Sequence, residues 1–175
     1  KPGKTFRWSG AYRQWSQADT LSTDLNVFAD FSPQLPPSCR SCRSLLLANI
    51  HPQLQLQVLN QIESYKWAAC DTMNYWISLC PELLSEVIRK VDIVFINEDE
   101  IRQYTGLDSI FAAGRYLLEM GVKAVVIKRG EYGSVTILPD DLFFAPAYPV
   151  ERIQDPTGAG DSFAGGFMSY LATQD

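Results

Sequence analysis

From residue 44 onward the apolar positions arrive in two alternating kinds of block. Short continuous runs, Ser44–Ala48 (SLLLA), Trp67–Cys70, Asp92–Ile96 (DIVFI) and Ala124–Ile127 (AVVI), read as strands buried on both faces. Between them lie segments whose apolar residues recur at helical spacing. Pro52 opens one, with Leu54, Val58, Leu59 and Ile62 on one face; Pro81 opens another through Leu84, Val87 and Ile88. Helices are expected over 98–105 and 109–120, the second capped by Asp108 or Ser109 and ended by Gly121. Arg129–Gly133 reads as a turn, Ser134–Leu138 as a returning strand, 142–145 as a further strand, and 159–172 as a last helix.

Strand and helix therefore alternate at least three times. This predicts an α/β fold in three layers, with a mostly parallel central sheet and helices on its faces. Ligands of such sheets bind at the carboxyl ends of the strands. The loops after Ile96, after Ile127 and before Ala159 are thus where chemistry is expected. The segment before residue 44 differs, being rich in Ser, Gln, Pro and Arg. Lys4–Tyr12 alternates like a strand or hairpin with Gly10 as its turn, and Pro33, Pro36 and Pro37 interrupt any long element. A division into a connecting segment, 1–43, and a core, 44–175, follows.

Composition narrows the function classes. A chain of 175 residues, 46% hydrophobic and 20% charged, suits one globular domain. A net charge of −5 without a basic run, Arg40 and Arg43 being the nearest to one, argues against nucleic acid as a partner. No apolar run reaches membrane-spanning length, and nothing near Lys1 reads as a signal peptide, so a cytoplasmic location is expected. Cys39 and Cys42 have the spacing of half a zinc site. Cys70 and Cys80 do not complete it, and His51 is the sole histidine, so free thiols are expected and a zinc-binding interaction module is the outside alternative.

The most informative segment is Asp155-Pro-Thr157-Gly158-Ala159-Gly160-Asp161. Two glycines flank a small residue where a helix begins, which lets backbone N–H groups converge at the positive end of the helix dipole. A phosphate suits that position. Asp161 falls in the first turn. Its carboxylate could cap the helix, but beside a phosphate cradle it is costly unless it accepts a proton from an attacking hydroxyl. Two other glycine motifs fail on spacing. A dinucleotide fingerprint requires Gly where Phe163 stands, and a Walker A loop requires Lys where Gly166 stands. Gly165 and Gly166 are read instead as close packing of the helix on the sheet.

Asp155–Met168 (DPTGAGDSFAGGFM) resembles the C-terminal signature of the ribokinase-like PfkB carbohydrate kinases. The resemblance implies a ribokinase-like fold and ATP-dependent transfer of a phosphoryl group, with Mg²⁺, to a hydroxymethyl group of a small sugar. It assigns the base to Asp161 and the anion hole to Gly158, Ala159 and Gly160, and places Asp155 and Thr157 on the ATP side. Asn97-Glu-Asp-Glu100 resembles the family's N-x-x-E motif, implying that Asn97 lies by ATP and that Glu100 organises Mg²⁺ through water. In isolation those acids would read as a helix start. Lys128-Arg-Gly130-x-x-Gly133 resembles the turn whose glycines line the nucleotide pocket. Asp71-x-x-Asn74 resembles a segment on the substrate side, with Trp76 where a basic residue is usual.

The nearest alternative changes only the acceptor, to a nucleoside or another small alcohol, and a non-catalytic sugar- or nucleotide-binding regulator is the alternative of another class, disfavoured by an intact Asp161. Against the family's length, the resemblance implies a chain that falls short of an upstream region with sugar-contacting acids and of final helices closing the adenine pocket. The 175 residues alone are therefore expected to be inactive, with the apolar face of the last helix (Phe163, Phe167, Tyr170, Leu171) uncovered. Residues 4–15, with Phe6, Trp8, Tyr12 and Trp15, resemble part of a β-lid over the sugar, and that region is the expected place of a homodimer contact.

Overall fold

The computed structural model describes residues 2–14 and 17–174. Its centre is a six-stranded sheet of β3 (Ser41–Leu47), β4 (Ser64–Asp71), β5 (Ile93–Asn97), β6 (Ala124–Lys128), β7 (Ser134–Ile137) and β8 (Leu142–Ala145), in that order. β3 to β6 are parallel, and β7 and β8 are antiparallel additions. The helices are α1 (Pro52–Leu59), α2 (Asn74–Leu79), α3 (Pro81–Ile88), α4 (Glu98–Thr105), α5 (Ile110–Glu119) and α6 (Ala159–Thr173). A hairpin of β1 (Arg7–Gln14) and β2 (Gln17–Asp24) forms a separate sheet.

Side-chain alternation along the strands sorts the core into two layers. Val94, Ile96, Val125 and Ile127 face one side, in one cluster with Leu56, Leu84, Val87, Ile88, Ile101 and Leu117 of α1, α3, α4 and α5. Ile93, Phe95, Ala124 and Val126 face the other, where Ala164 and Met168 of α6 cover them. The result is the three-layer arrangement the pattern predicts. Because both faces of β5 and β6 are covered, their apolar runs are continuous.

Several expectations need correction. Gly10 is not a turn: it lies inside β1, at a break in the strand register between Ser9 and Gly10. α1 stops at Leu59 with Asn60 as its C-cap, so Ile62 lies beyond the helix. Ser109, not Asp108, caps α5 by accepting from the Ala112 N–H. α2 has no counterpart in the sequence reading. It is one short turn-and-a-half entered from Met73 without a side-chain cap, so it carries no start signal.

Gly165 and Gly166 do not permit close helix packing, since a Cβ at either would meet open space. The contact of α6 with the sheet is made by Ala164 and Met168, with Phe167 and Leu171 packed beside them. Phe167 and Leu171 are therefore half-buried, and only Phe163 and Tyr170 of the four remain exposed. In the hairpin segment Phe6 packs edge-on to Phe28, and Trp8 Nε1 donates to Thr20 Oγ1. Trp15 and the Tyr12 side chain lie outside the described residues.

Candidate active site

The three parallel strands β4, β5 and β6 end, at their carboxyl edge, on Asp71, Asn97 and Lys128. Strand register fixes their relation, because Asn97 is the ladder partner of Lys128, and Asp71 that of Phe95 two residues before Asn97. The Lys128 ammonium donates to both oxygens of the Asp71 carboxylate, at 2.7 and 2.6 Å. The pair is largely withdrawn from water, with side-chain exposures of 19% and 4%. Burial pushes the Asp71 carboxyl above the usual carboxylate range. Lys128 and the Thr72 N–H oppose that rise, and the negative charge of Asp161 adds to it. Asp161 is thus electrostatically coupled to the end of β4, although the two residues are 90 apart in sequence.

Asn97 and Glu100 close a reciprocal capping box at the start of α4. Asn97 Oδ1 accepts from the Glu100 N–H at 2.8 Å, and Glu100 Oε2 accepts from the Asn97 N–H at 3.0 Å. The helix-start role is therefore real, and Glu100 is buried as well. That burial raises its carboxyl to about 7, with Lys128 pulling it down and Asp71 and Asp99 pushing it up. Beside it, Glu98 bridges Arg129 and Arg102. Its burial raises the carboxyl, but the bonds from those guanidinium groups outweigh it and leave the group below its ordinary value.

α6 delivers the glycine loop. Asp155 Oδ1 accepts from the Thr157 N–H at 2.8 Å, and bonds from Thr157 hold the Asp155 carboxyl below its ordinary value. Gly158 is the N-cap with φ 77°, a left-handed conformation that favours glycine. Ala159 and Gly160 follow as the first helical residues, and Asp161 is exposed in the first turn. Gly160 itself has no positive φ. Its constraint is proximity, since a Cβ there would lie 3.3 Å from Lys128 Nζ.

The structure thus gathers Asp71, Glu100, Lys128, Gly160 and Asp161 into one cluster. Gly130 and Gly133 shape the turn after β6, where a Cβ on Gly133 would overlap the Ala145 carbonyl at the end of β8. Asn74 opens α2, exposed, its carbonyl accepting from Gln103, and takes no part in the Lys128–Asp71 bridge. Trp76 is a buried anchor whose Nε1 donates to Asn49 Oδ1. Cys39 closes a short helical turn and Cys42 is half-buried in β3; both are free thiols. Among the described residues no three His, Cys, Asp or Glu side chains converge as metal ligands.

Two polar residues escaped the sequence reading. Gln55 of α1 is 1% exposed, and its Nε2 donates to the Leu47, Ala48 and Asp71 carbonyls, tying the ends of β3 and β4 together. Thr72 is buried next to Asp71 and its hydroxyl finds no partner among the described residues. A Gln between Leu54 and Leu56 breaks the apolar spacing of the helix, which is the one sequence signal that could have marked it.

Residues 12–175 match the model of the pfkB family carbohydrate kinases. The chain is 32% identical over 173 residues to a cytidine kinase of Thermococcus kodakarensis, covering 96% of this chain and 62% of that enzyme. The nucleoside kinase of Methanocaldococcus jannaschii superposes with a TM-score of 0.74 at 21% identity, over 100% of this chain and 57% of that one, an agreement of fold. A structure from E. coli described as a ribokinase II in complex with ATP and Mg²⁺ superposes with a TM-score of 0.59 at 27% identity, over 70% and 41%. The chain therefore spans less than two thirds of the length of these relatives. With its match extending from residue 12 to the last residue, the chain belongs to the pfkB family of carbohydrate kinases.

Proposed function

We propose that this chain supplies the phosphoryl-transfer centre of an ATP-dependent kinase acting on a hydroxymethyl group of a small sugar or nucleoside. The observation that carries this reading is the convergence of the α6 amino end, with Gly158, Ala159, Gly160 and Asp161, on the Lys128–Asp71 end of the sheet. Amides of the glycine loop hold the charge that develops on the transferred group. Asp161, exposed at the loop's end, takes the proton of the attacking hydroxyl. Asn97, Lys128, Gly130, Gly133, Asp155 and Thr157 form the nucleotide side, and Asp71 and Asn74 the acceptor side.

Mg²⁺ fits this donor set only as a phosphate-borne ion. No three-carboxylate cage converges among the described residues, and Glu100 offers one buried carboxylate. Mg²⁺ keeps much of its water shell and takes one or two carboxylates plus phosphate oxygens. When bound, it would neutralise phosphate charge, with Glu100 holding it through water.

The likeness to a cytidine kinase along nearly the whole chain favours a nucleoside acceptor as the second reading. Free thiols suit a reducing cytoplasm, and exposed Phe6 and Leu21 suit a homodimer contact through the hairpin. No helix among the described residues is long and apolar enough to cross a membrane. The test is to incubate the complete gene product with ATP, Mg²⁺ and a panel of pentoses, hexoses and nucleosides including cytidine. Phosphorylation of one class assigns the acceptor, and ADP release with none of them contradicts the proposal.

A further inference from the structure

We propose that the Lys128–Asp71 bridge is an exchangeable lock: an oxyanion entering over Gly160 takes the ammonium from Asp71, and the carboxylate is thereby released toward the acceptor side. This rests on the phosphate-site reading above and adds an order of events to it. The ammonium carries three N–H donors, and the described residues give it one partner, the Asp71 carboxylate. It lies beneath the first turn of α6, where the missing side chain of Gly160 leaves it unscreened. The first turn of α6 and the ammonium therefore lie side by side, and an anion over Gly160 would meet the ammonium together with the amides of that turn other than Ala159's, which donates to the Pro156 carbonyl.

The acceptor end is prepared for the loss. Asp71 keeps the Thr72 N–H on Oδ1 at 2.8 Å, its backbone carbonyl is held by Gln55, and the buried Thr72 hydroxyl beside it is unpartnered among the described residues. A bridge needed only for folding would gain nothing from standing under a glycine. Buried ion pairs often contribute little net stability against apolar replacements, so stability alone does not account for this one. The exchange also links the two substrates, because the anion that takes Lys128 leaves Asp71 Oδ2 without a donor, while Oδ1 keeps the Thr72 N–H, and a hydroxyl can donate to the freed oxygen.

The test measures binding of inorganic tripolyphosphate to the purified protein by calorimetry, without Mg²⁺, with the melting temperature of each variant confirming a folded state. Asp71→Asn removes the resting partner of Lys128 and is expected to tighten tripolyphosphate binding about tenfold. Glu100→Gln removes a carboxylate of the same cluster without freeing the ammonium, and is expected to change affinity less than about threefold by loss of repulsion alone. The double variant Lys128→Met/Asp71→Asn, neutral at both positions and so free of a stranded buried charge, should bind more weakly than the parent.

Unchanged or weaker binding by Asp71→Asn overturns the lock while leaving the phosphate site standing. So does an equal gain from Glu100→Gln, or a double variant that keeps the affinity of Asp71→Asn. Failure of the parent protein to bind tripolyphosphate overturns the phosphate-site reading and the lock together.

Discussion

A lysine–aspartate bridge stands at each end of β6, one from Lys123 just before the strand and one from Lys128, its last residue, and the two differ in their lysines and in their surroundings. At the amino end Lys123 Nζ lies 2.7 Å from Asp92, with the lysine side chain 64% exposed. At the carboxyl end Lys128 lies 2.6 Å from Asp71 and both are largely buried. Asp92 has structural employment: Oδ2 accepts the Ala68 N–H, and its backbone carbonyl accepts from Lys123 and Ala124, joining β4, β5 and β6. Lys123 also lies over the Trp67 ring. The other bridge stands in a crowd of carboxylates, with Glu100 and Asp161 acting on it, beneath a helix amino end. One end of the strand uses charge to close the sheet. The other concentrates charge beneath the amino end of α6, and that contrast separates scaffold from candidate site.

Removing the lysines should expose the difference most strongly. Lys128→Met strands a buried carboxylate and is expected to cost roughly 3–5 kcal/mol in urea unfolding, whereas Lys123→Met, which removes a mostly solvated ammonium and leaves Asp92 its bond from the Ala68 N–H, is expected to cost about 1 kcal/mol. Equal losses would erase the distinction between the two ends. Gly160→Val comes next. Its side chain meets the Lys128 ammonium, the flexible end of a long side chain, so the melting temperature should change little while tripolyphosphate affinity falls about tenfold or more. Normal affinity would place the anion elsewhere.

Glu100 gives smaller effects, by pH and by metal. Its carboxyl is raised from 4.5 to about 7 in the folded protein. The folded state therefore binds the proton more tightly than the unfolded state, so this group's stabilising contribution is present below pH 4.5 and is lost as pH rises toward 7. Glu100→Gln should flatten the stability–pH curve in that window. In the complete gene product it should also raise the Mg²⁺ concentration needed for half-maximal rate. A curve and a Mg²⁺ titration identical to those of the parent would leave Glu100 a helix cap only.

Much of the scaffold side of this contrast was legible in the sequence. Pro52 and Pro81 mark helix starts because proline suits the first helical turn, and the runs around Val94 and Val125 mark strands covered on both faces. The glycine loop was legible too, being contiguous. The bridge was not. Asp71 and Lys128 are 57 residues apart and meet only through the register of β4, β5 and β6, which no local pattern encodes. The reason for Gly160 was likewise hidden, since its constraint comes from Lys128 rather than from its own backbone angle. α2 escaped because a six-residue helix without a side-chain cap is too short to show a period. Gly165 and Gly166 were misread because a helical glycine in sequence does not reveal whether anything faces it.

If the carboxyl end of this sheet performs phosphoryl transfer with Asp161 as the proton acceptor, as proposed, turnover of Asp161→Asn in the complete gene product, set against its nucleotide affinity, must separate chemistry from binding. Loss of a positioned base predicts a kcat lower by roughly 10²–10⁴-fold with the Kd for ATP nearly unchanged. A kcat within a factor of about two of the parent would contradict the assignment.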